Sequence, residues 1–251
     1  MVGQQDRDLL ILLTTMSASR IAASILWVAT TFLTNPAAAS AQPDPQVVVP
    51  GHIAGPSPNG LGRWSVDYQR LTGGDPAITT SINDQIDTAA NNAVRQISWD
   101  ATKTLPWSFR GRGSLTLGAI TVSELYLGEY TTDLPNMPIH TVATRVLDRR
   151  SGVPITWDGL FADKRAGLTV LGRQTESLLP ARYDLPPSWH YGGETLPLEI
   201  NFAHWIPTPA GIALYFPERQ FGPQLMTITV PWDRLHRFIR PEFAQITDQQ
   251  P

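Results

Sequence analysis

Residues 63–97 read RWSVDYQRL-TGG-DPAITTSINDQIDTAANNAVRQI, and the change of period inside this stretch decides the fold. In Arg63–Leu71, Trp64, Val66 and Tyr68 alternate on one face, the period-two pattern of a half-buried strand. Thr72-Gly73-Gly74 ends it. Asp75-Pro76 then opens a helix, with Asp as N-cap and Pro at the first helical position. Ile78, Ile82, Ile86, Ala90, Ala93 and Ile97 recur every three to four residues and line one buried stripe. Asn83, Asp84, Asp87, Asn91 and Asn92 are expected to face water or to cap neighbouring elements.

Downstream, strand-like runs dominate. Leu115–Thr132 (LTLGAITVSELYLGEYTT) and Ile139–Asp148 (IHTVATRVLD) are β-branched and alternating, and Ser151-Gly152 supplies a hairpin turn. A short strand, Pro154–Trp157, leads to Asp163, which caps a second helix that Pro180 should stop. Residues 181–197 form a loop containing Trp189-His190-Tyr191 between Pro186-Pro187 and Gly192-Gly193. Strands are expected at Leu198–Ile206, Ile212–Phe216 and Met226–Val230, and Pro231 opens a short last helix. Hairpin-length turns between consecutive strands favour antiparallel pairing. The expectation is therefore an α+β fold: a largely antiparallel sheet with one long N-terminal helix, a second helix in the C-terminal half and a short terminal helix.

Upstream, the signals concern export. Arg20 precedes the apolar run Ile21–Leu33, and Thr34-Asn35-Pro36 ends it. A membrane-spanning helix needs roughly 20 apolar residues, more than this run supplies. Ala39 and Ala41 satisfy the small-x-small rule and place a cleavage before Gln42. An uncleaved anchor is the alternative, because Leu9–Leu13 adds a second apolar stretch. A start at Met16 would remove that stretch and leave MSASR as the charged lead-in. The organisation read from this is a secretory signal at 1–41 and a Pro/Gly-rich linker at 42–62. An N-terminal lobe at 63–150, a C-terminal lobe at 151–241 and a polar tail at 242–251 complete it.

Composition narrows the rest. Hydrophobic residues make up 42% of the 251, with eight Trp, which is enough for an ordinary core. A formal charge of −3 gives no reason to expect nucleic acid. Among the 19 basic residues only Lys103 and Lys164 are lysine, a bias that fits a GC-rich, for instance actinobacterial, genome. Cysteine is absent, which excludes disulfides, thiolate zinc sites and a Cys nucleophile.

The order of elements, together with several local runs, is similar to the RsiV-like extracytoplasmic domain family. That family includes ectodomains of lysozyme-sensing anti-sigma factors, N-terminal domains of peptidoglycan deacetylases and mycobacterial secreted immunogenic proteins. The resemblance is carried by Val66–Gly73 and Ile82-Asn83, then by Ser151–Thr156 with Leu160-Phe161. It is strongest at Thr208–Phe216, Phe221-Gly222-Pro223 and Ile228–Leu235. It implies an α+β envelope domain, and its members differ in function. About twenty residues precede the apolar run, fewer than a sigma-binding module needs, and few residues follow Leu235. The arrangement expected is thus the shared domain alone behind a signal, most similar to the secreted proteins.

No motif dictates chemistry. His52, His140, His190, His204 and His236 lack metal-ligand spacing, so neither metal nor cofactor is expected. No G-x-S-x-G elbow occurs, and Gly111-Arg112-Gly113-Ser114 reads as a turn or bulge. Asp148, Asp158, Glu194, Glu199 and Glu218 are candidate carboxylates for glycoside chemistry without any sign that two converge. Arg145, Arg149 and Arg150 could meet an anionic polymer or simply end a solvated strand. Trp189, His190 and Tyr191 are the candidate binding residues, since exposed aromatics anchor protein or glycan partners by stacking and area burial. The functional expectation is an exported, non-catalytic cell-envelope domain that binds or senses a lysozyme-like protein or a cell-wall ligand. A secreted serine esterase is the alternative. The membrane is expected to be met only through an uncleaved signal segment.

Overall fold

The computed structural model describes residues 44–183, 185 and 192–247. The chain divides into Met1–Ala41 and Gln42–Pro251, and every described residue belongs to the second unit. Its elements run β1 (Val47–Pro56), β2 (Gly62–Thr72), α1 (Pro76–Asp100), β3 (Trp107–Leu117), β4 (Thr121–Thr132) and β5 (Ile139–Asp148). Then come α2 (Trp157–Leu160), α3 (Lys164–Tyr183), β6 (Trp205–Thr208), β7 (Gly211–Phe216), β8 (Met226–Pro231) and α4 (Trp232–Leu235).

The expected single sheet behind an N-terminal helix is not what forms. There are two sheets, a five-stranded one in the order β1-β2-β3-β4-β5 and a three-stranded one in the order β6-β7-β8. The long helix comes after two strands rather than opening the fold. It is also the reason the first sheet is mixed. α1 carries the chain from the end of β2 back across the sheet, so β3 pairs with β2 in parallel, from Gly62↔Trp107 to Asp67↔Arg112. Every other pairing is antiparallel.

The second difference lies at 42–62. Val47–Pro56, read as linker from its Pro and Gly, is the edge strand β1, paired along its whole length with β2. Proline is tolerated at a sheet edge because its missing N–H costs no inner ladder bond. The glycines are used sterically: a Cβ at Gly51 would lie 2.9 Å from Tyr68 Cζ, and one at Gly55 2.8 Å from Trp64 Cζ2. The β2 aromatics therefore lie flat across β1, covering backbone that glycine leaves bare.

The start of α1 agrees with the sequence reading. Asp75 Oδ1 accepts hydrogen bonds from the backbone N–H groups of Ala77 (2.8 Å) and Ile78 (3.1 Å). Asp163 caps α3 in the same way through Ala166 N–H. Pro180 does not stop α3, which continues to Tyr183. Its cost is confined to the last turn, where few backbone bonds remain to lose. Leu198–Ile206 is also not one strand: Glu199–Phe202 is a 3-10 turn and only Trp205–Thr208 is extended.

Two apolar cores result. One lies between α1 and the first sheet and includes Val66, Ile82, Ile86, Phe109, Val122 and Leu147. The other packs α3 against the second sheet through Leu168, Leu171, Leu179, Ile212, Leu214 and Ile228. Trp157 ties the second together: it stacks on Trp205 at 4.5 Å between ring centroids, and its Nε1 donates to Phe202 O. The sheets meet along β5, where Trp205 N–H donates to Thr144 Oγ1 (2.8 Å) and His140 N–H to Glu218 Oε1 (3.1 Å).

Candidate functional site

On β4 the residues Val122, Glu124, Tyr126, Gly128 and Tyr130 point to the core side, a period-two set with one acid in it. Glu124 is 3% exposed and Tyr126 also 3%. Both line a cavity of about 430 Å³ between α1 and strands β4 and β5. Ala89, Ala93 and Ile97 of α1 and Val142 and Ala143 of β5 supply its apolar walls. Arg95 and Gln96 on α1 and Arg145 on β5 supply its polar margin. The volume and the mixture, apolar walls with a few fixed polar groups, are those of small-ligand sites.

The polar groups here are under-satisfied. Glu124 Oε1 and Tyr126 Oη are buried without a hydrogen-bond partner, and so are Arg70 Nε and Asp87 Oδ1 on the adjoining β2 and α1. Among the described residues these four atoms make up the whole of that class, and all belong to the interface between α1 and the first sheet. Buried polar atoms are nearly always paired, so a cluster of exceptions is a functional pointer. Arg70 Nη2 lies 3.2 Å from Asp87 Oδ2, and Arg145 Nη1 donates to Gln85 Oε1 (3.2 Å). Arg145 stands directly across the ladder from Glu124. Burial pushes the Glu124 carboxyl up to about 7; Arg145 opposes this and Asp87 adds to it. The Tyr126 hydroxyl is likewise pushed up, first by burial and then by the Glu124 charge.

Tyr126 is held by glycines. A Cβ at Gly111 would be 3.0 Å from its Cε1, and one at Gly113 3.0 Å from its Cδ2. Gly111-Arg112-Gly113 is accordingly neither turn nor bulge. It lies within regular β3, and its two inward glycines make room for the Tyr126 ring. Sequence reading missed this site, although an acid in the inward register of Val122, Tyr126 and Tyr130 was the signal for it.

Most of the residues singled out from the sequence are not brought to this cavity. Trp189, His190 and Tyr191, and the cleavage positions Ala39, Ala41 and Gln42, lie outside the described residues. Asp158 and Glu199 do converge, but on Lys164 Nζ, which pairs with both carboxylates at the surface. Arg149 donates to Gln46 Oε1 and Gly118 O, and Arg150 pairs with Asp148 at 2.7 Å, so both serve the hairpin end. Arg145 alone of that trio borders the cavity. His52 Nδ1 lies 2.7 Å from Asp67 Oδ1 on the exposed face, and His140 Nδ1 2.7 Å from Glu218 Oε1. Among the described residues no three His, Asp or Glu side chains are grouped as metal ligands would be.

A five-stranded mixed sheet crossed by one long helix, joined to a three-stranded sheet backed by a second helix, defines a fold found in solved structures. The chain is similar to DUF3298 family proteins. One from Pseudomonas aeruginosa matches with TM-score 0.51 and 15% identity over 80% of this chain and 95% of that one. Another from Bacteroides fragilis matches with TM-score 0.52 and 10% identity over 82% and 98%. At such identities the likeness is one of fold. No family model and no curated protein matches the chain.

Proposed function

We propose that this chain is an exported, non-catalytic domain of the cell envelope that binds a ligand there, in the manner of an RsiV-like extracytoplasmic domain. The observation that carries the reading is the cavity under α1, whose apolar walls and unpaired buried Glu124 and Tyr126 suit recognition. The sequence resemblance through Thr208–Leu235 and the signal-like segment ahead of Gln42 support the location and the kinship. Among the described residues no helix is long and apolar enough to cross a membrane.

The esterase alternative has one observation to lean on, the His140–Glu218 pair, which resembles the orienting half of a catalytic triad. The other ring nitrogen, Nε2, lies 4.0 Å from Glu129 Oε2. A carboxylate thus occupies the side on which a serine hydroxyl would have to approach. This geometry favours binding over acyl transfer.

The test is capture and labelling on the purified protein. Retention by isolated cell-wall sacculi or by immobilised lysozyme, with no serine taken up by a fluorophosphonate probe, is the expected result. Labelling of a single serine, lost on its substitution, would overturn it. N-terminal sequencing of the exported protein should begin at Gln42.

A further inference from the structure

We infer that the cavity between α1 and strands β4 and β5 receives an amide group of a neutral ligand, its N–H donating to Glu124 and its C=O accepting from Tyr126. This deepens the binding reading proposed above and rests on it. The two groups stand two residues apart on one strand face, and both residues line the same cavity. Glu124 Oε1 offers an acceptor and Tyr126 Oη a donor, and neither has a partner. An amide presents the complementary pair, a donor and an acceptor held in one plane, and it carries no charge. Charge decides against the other small groups. Glu124 feels Arg145 from β5 and Asp87 from α1, acts in turn on Tyr68 of β2 and Tyr126 of its own strand, and shares the cavity with Arg95 of α1. Both signs of charge line the cavity, so an ammonium meets Arg95 and Arg145 beside Glu124, and a carboxylate meets Glu124 beside the two guanidinium groups, whereas a neutral amide meets no like charge. A ligand bearing only hydroxyls would leave the small apolar walls at Ala89, Ala93 and Ala143 without a partner, whereas an acetyl or alanyl methyl fills them.

Amides of this kind come from N-acetylated sugars and from peptides, and the experiment separates the two. Methyl NMR of the purified protein, observed at Ala93 and Ala143, is recorded while N-acetylglucosamine, N-acetylalanine amide, glucose, glucosamine and acetate are added in turn. Saturable shifts are expected with at least one of the two amides, which identifies the source, and none with glucose, glucosamine or acetate. Tyr126→Phe should weaken that binding at least tenfold without lowering the melting temperature, because it deletes an unpaired buried hydroxyl and keeps the ring. Glu124→Gln, which also keeps shape, should weaken it comparably. Unmoved methyls with both amides, equal shifts with glucose or acetate, or wild-type affinity in both variants would each overturn the inference. Failure here is distinguishable from failure of the envelope reading. Capture by sacculi with an unresponsive cavity removes only the amide site; an amide-responsive cavity without capture removes only the envelope role.

Discussion

Glu124 occupies a position that a strand facing a core ordinarily gives to Val or Ile, and its cost depends on pH. Its carboxyl is pushed up from an ordinary 4.5 to about 7, chiefly by burial. The folded state therefore holds this proton more tightly than the unfolded chain does. The associated stability is fully present below about 4.5 and is lost as pH rises through about 7. Relative to Glu124→Gln, the wild-type protein should lose up to about 3 kcal/mol between those limits. Parallel denaturant titrations across pH would reveal it, and identical slopes for the two proteins would refute it. A neighbouring prediction is steric. Gly113→Ala places a methyl 3.0 Å from the Tyr126 ring and 3.0 Å from Tyr68 Cβ. It should cost about 1–3 kcal/mol by overpacking, measurable as a lower melting temperature. An unchanged midpoint would mean that β3 yields without resistance.

At the scale of elements, α1 shows how much the sequence discloses and where it falls silent. Its start, its stripe and its capping residue were legible because helical period and N-cap chemistry are local. The fate of its polar face was not. Asn83, expected to meet water or to cap a neighbour, does the second while 9% exposed: its Oδ1 accepts from Leu71 N–H (2.8 Å) and its Nδ2 donates to Leu71 O (2.9 Å). It takes the place of a strand partner at the end of β2. Asn83→Leu would leave both Leu71 groups buried and unpaired, and a loss of about 3 kcal/mol is expected in equilibrium unfolding. A loss well under 1 kcal/mol would show that β2 ends elsewhere. The linker reading of 42–62 failed for a related reason. Glycines that look like breakers in sequence are, in β1, the places where Trp64 and Tyr68 lie across the chain. That pairing exists only after β2 has come alongside. The candidate cavity was hidden likewise, since an acid on a strand becomes informative only once the strand's inward face and the helix above it are known.

For the whole molecule, the two sheets are joined along β5, whose Val146 is buried in the second core and which adds polar contacts. Trp205 N–H to Thr144 Oγ1 is one, and Glu218 with His140 is another. In the second the His140 side chain is half exposed although Glu218 is largely covered, and with one partner open to water the pair should contribute little on its own. Glu218→Gln is expected to change stability by less than about 1 kcal/mol while leaving the cavity's response to ligands intact. A large loss in unfolding experiments would show that the His140–Glu218 pair holds the sheets together. The same strand borders both the cavity and the second sheet, and its Thr144 lines the first and accepts a hydrogen bond from the second.

The parallel pairing of β2 with β3 also sets an order in time. β3, β4 and β5 are neighbours in sequence and can zip together as soon as they exist. The β1–β2 hairpin forms just as locally, but it joins them only through Gly62–Asp67 after α1 has been laid across the gap. Closing so long a loop is an entropic debt settled late, so this junction is expected to be the slow seam of folding. The seam is also the natural line of partial opening. Backbone amides of Arg63–Asp67 should exchange with deuterium ahead of those in β4, and the edge hairpin should peel away as one cooperative piece while the remaining strands stay shut.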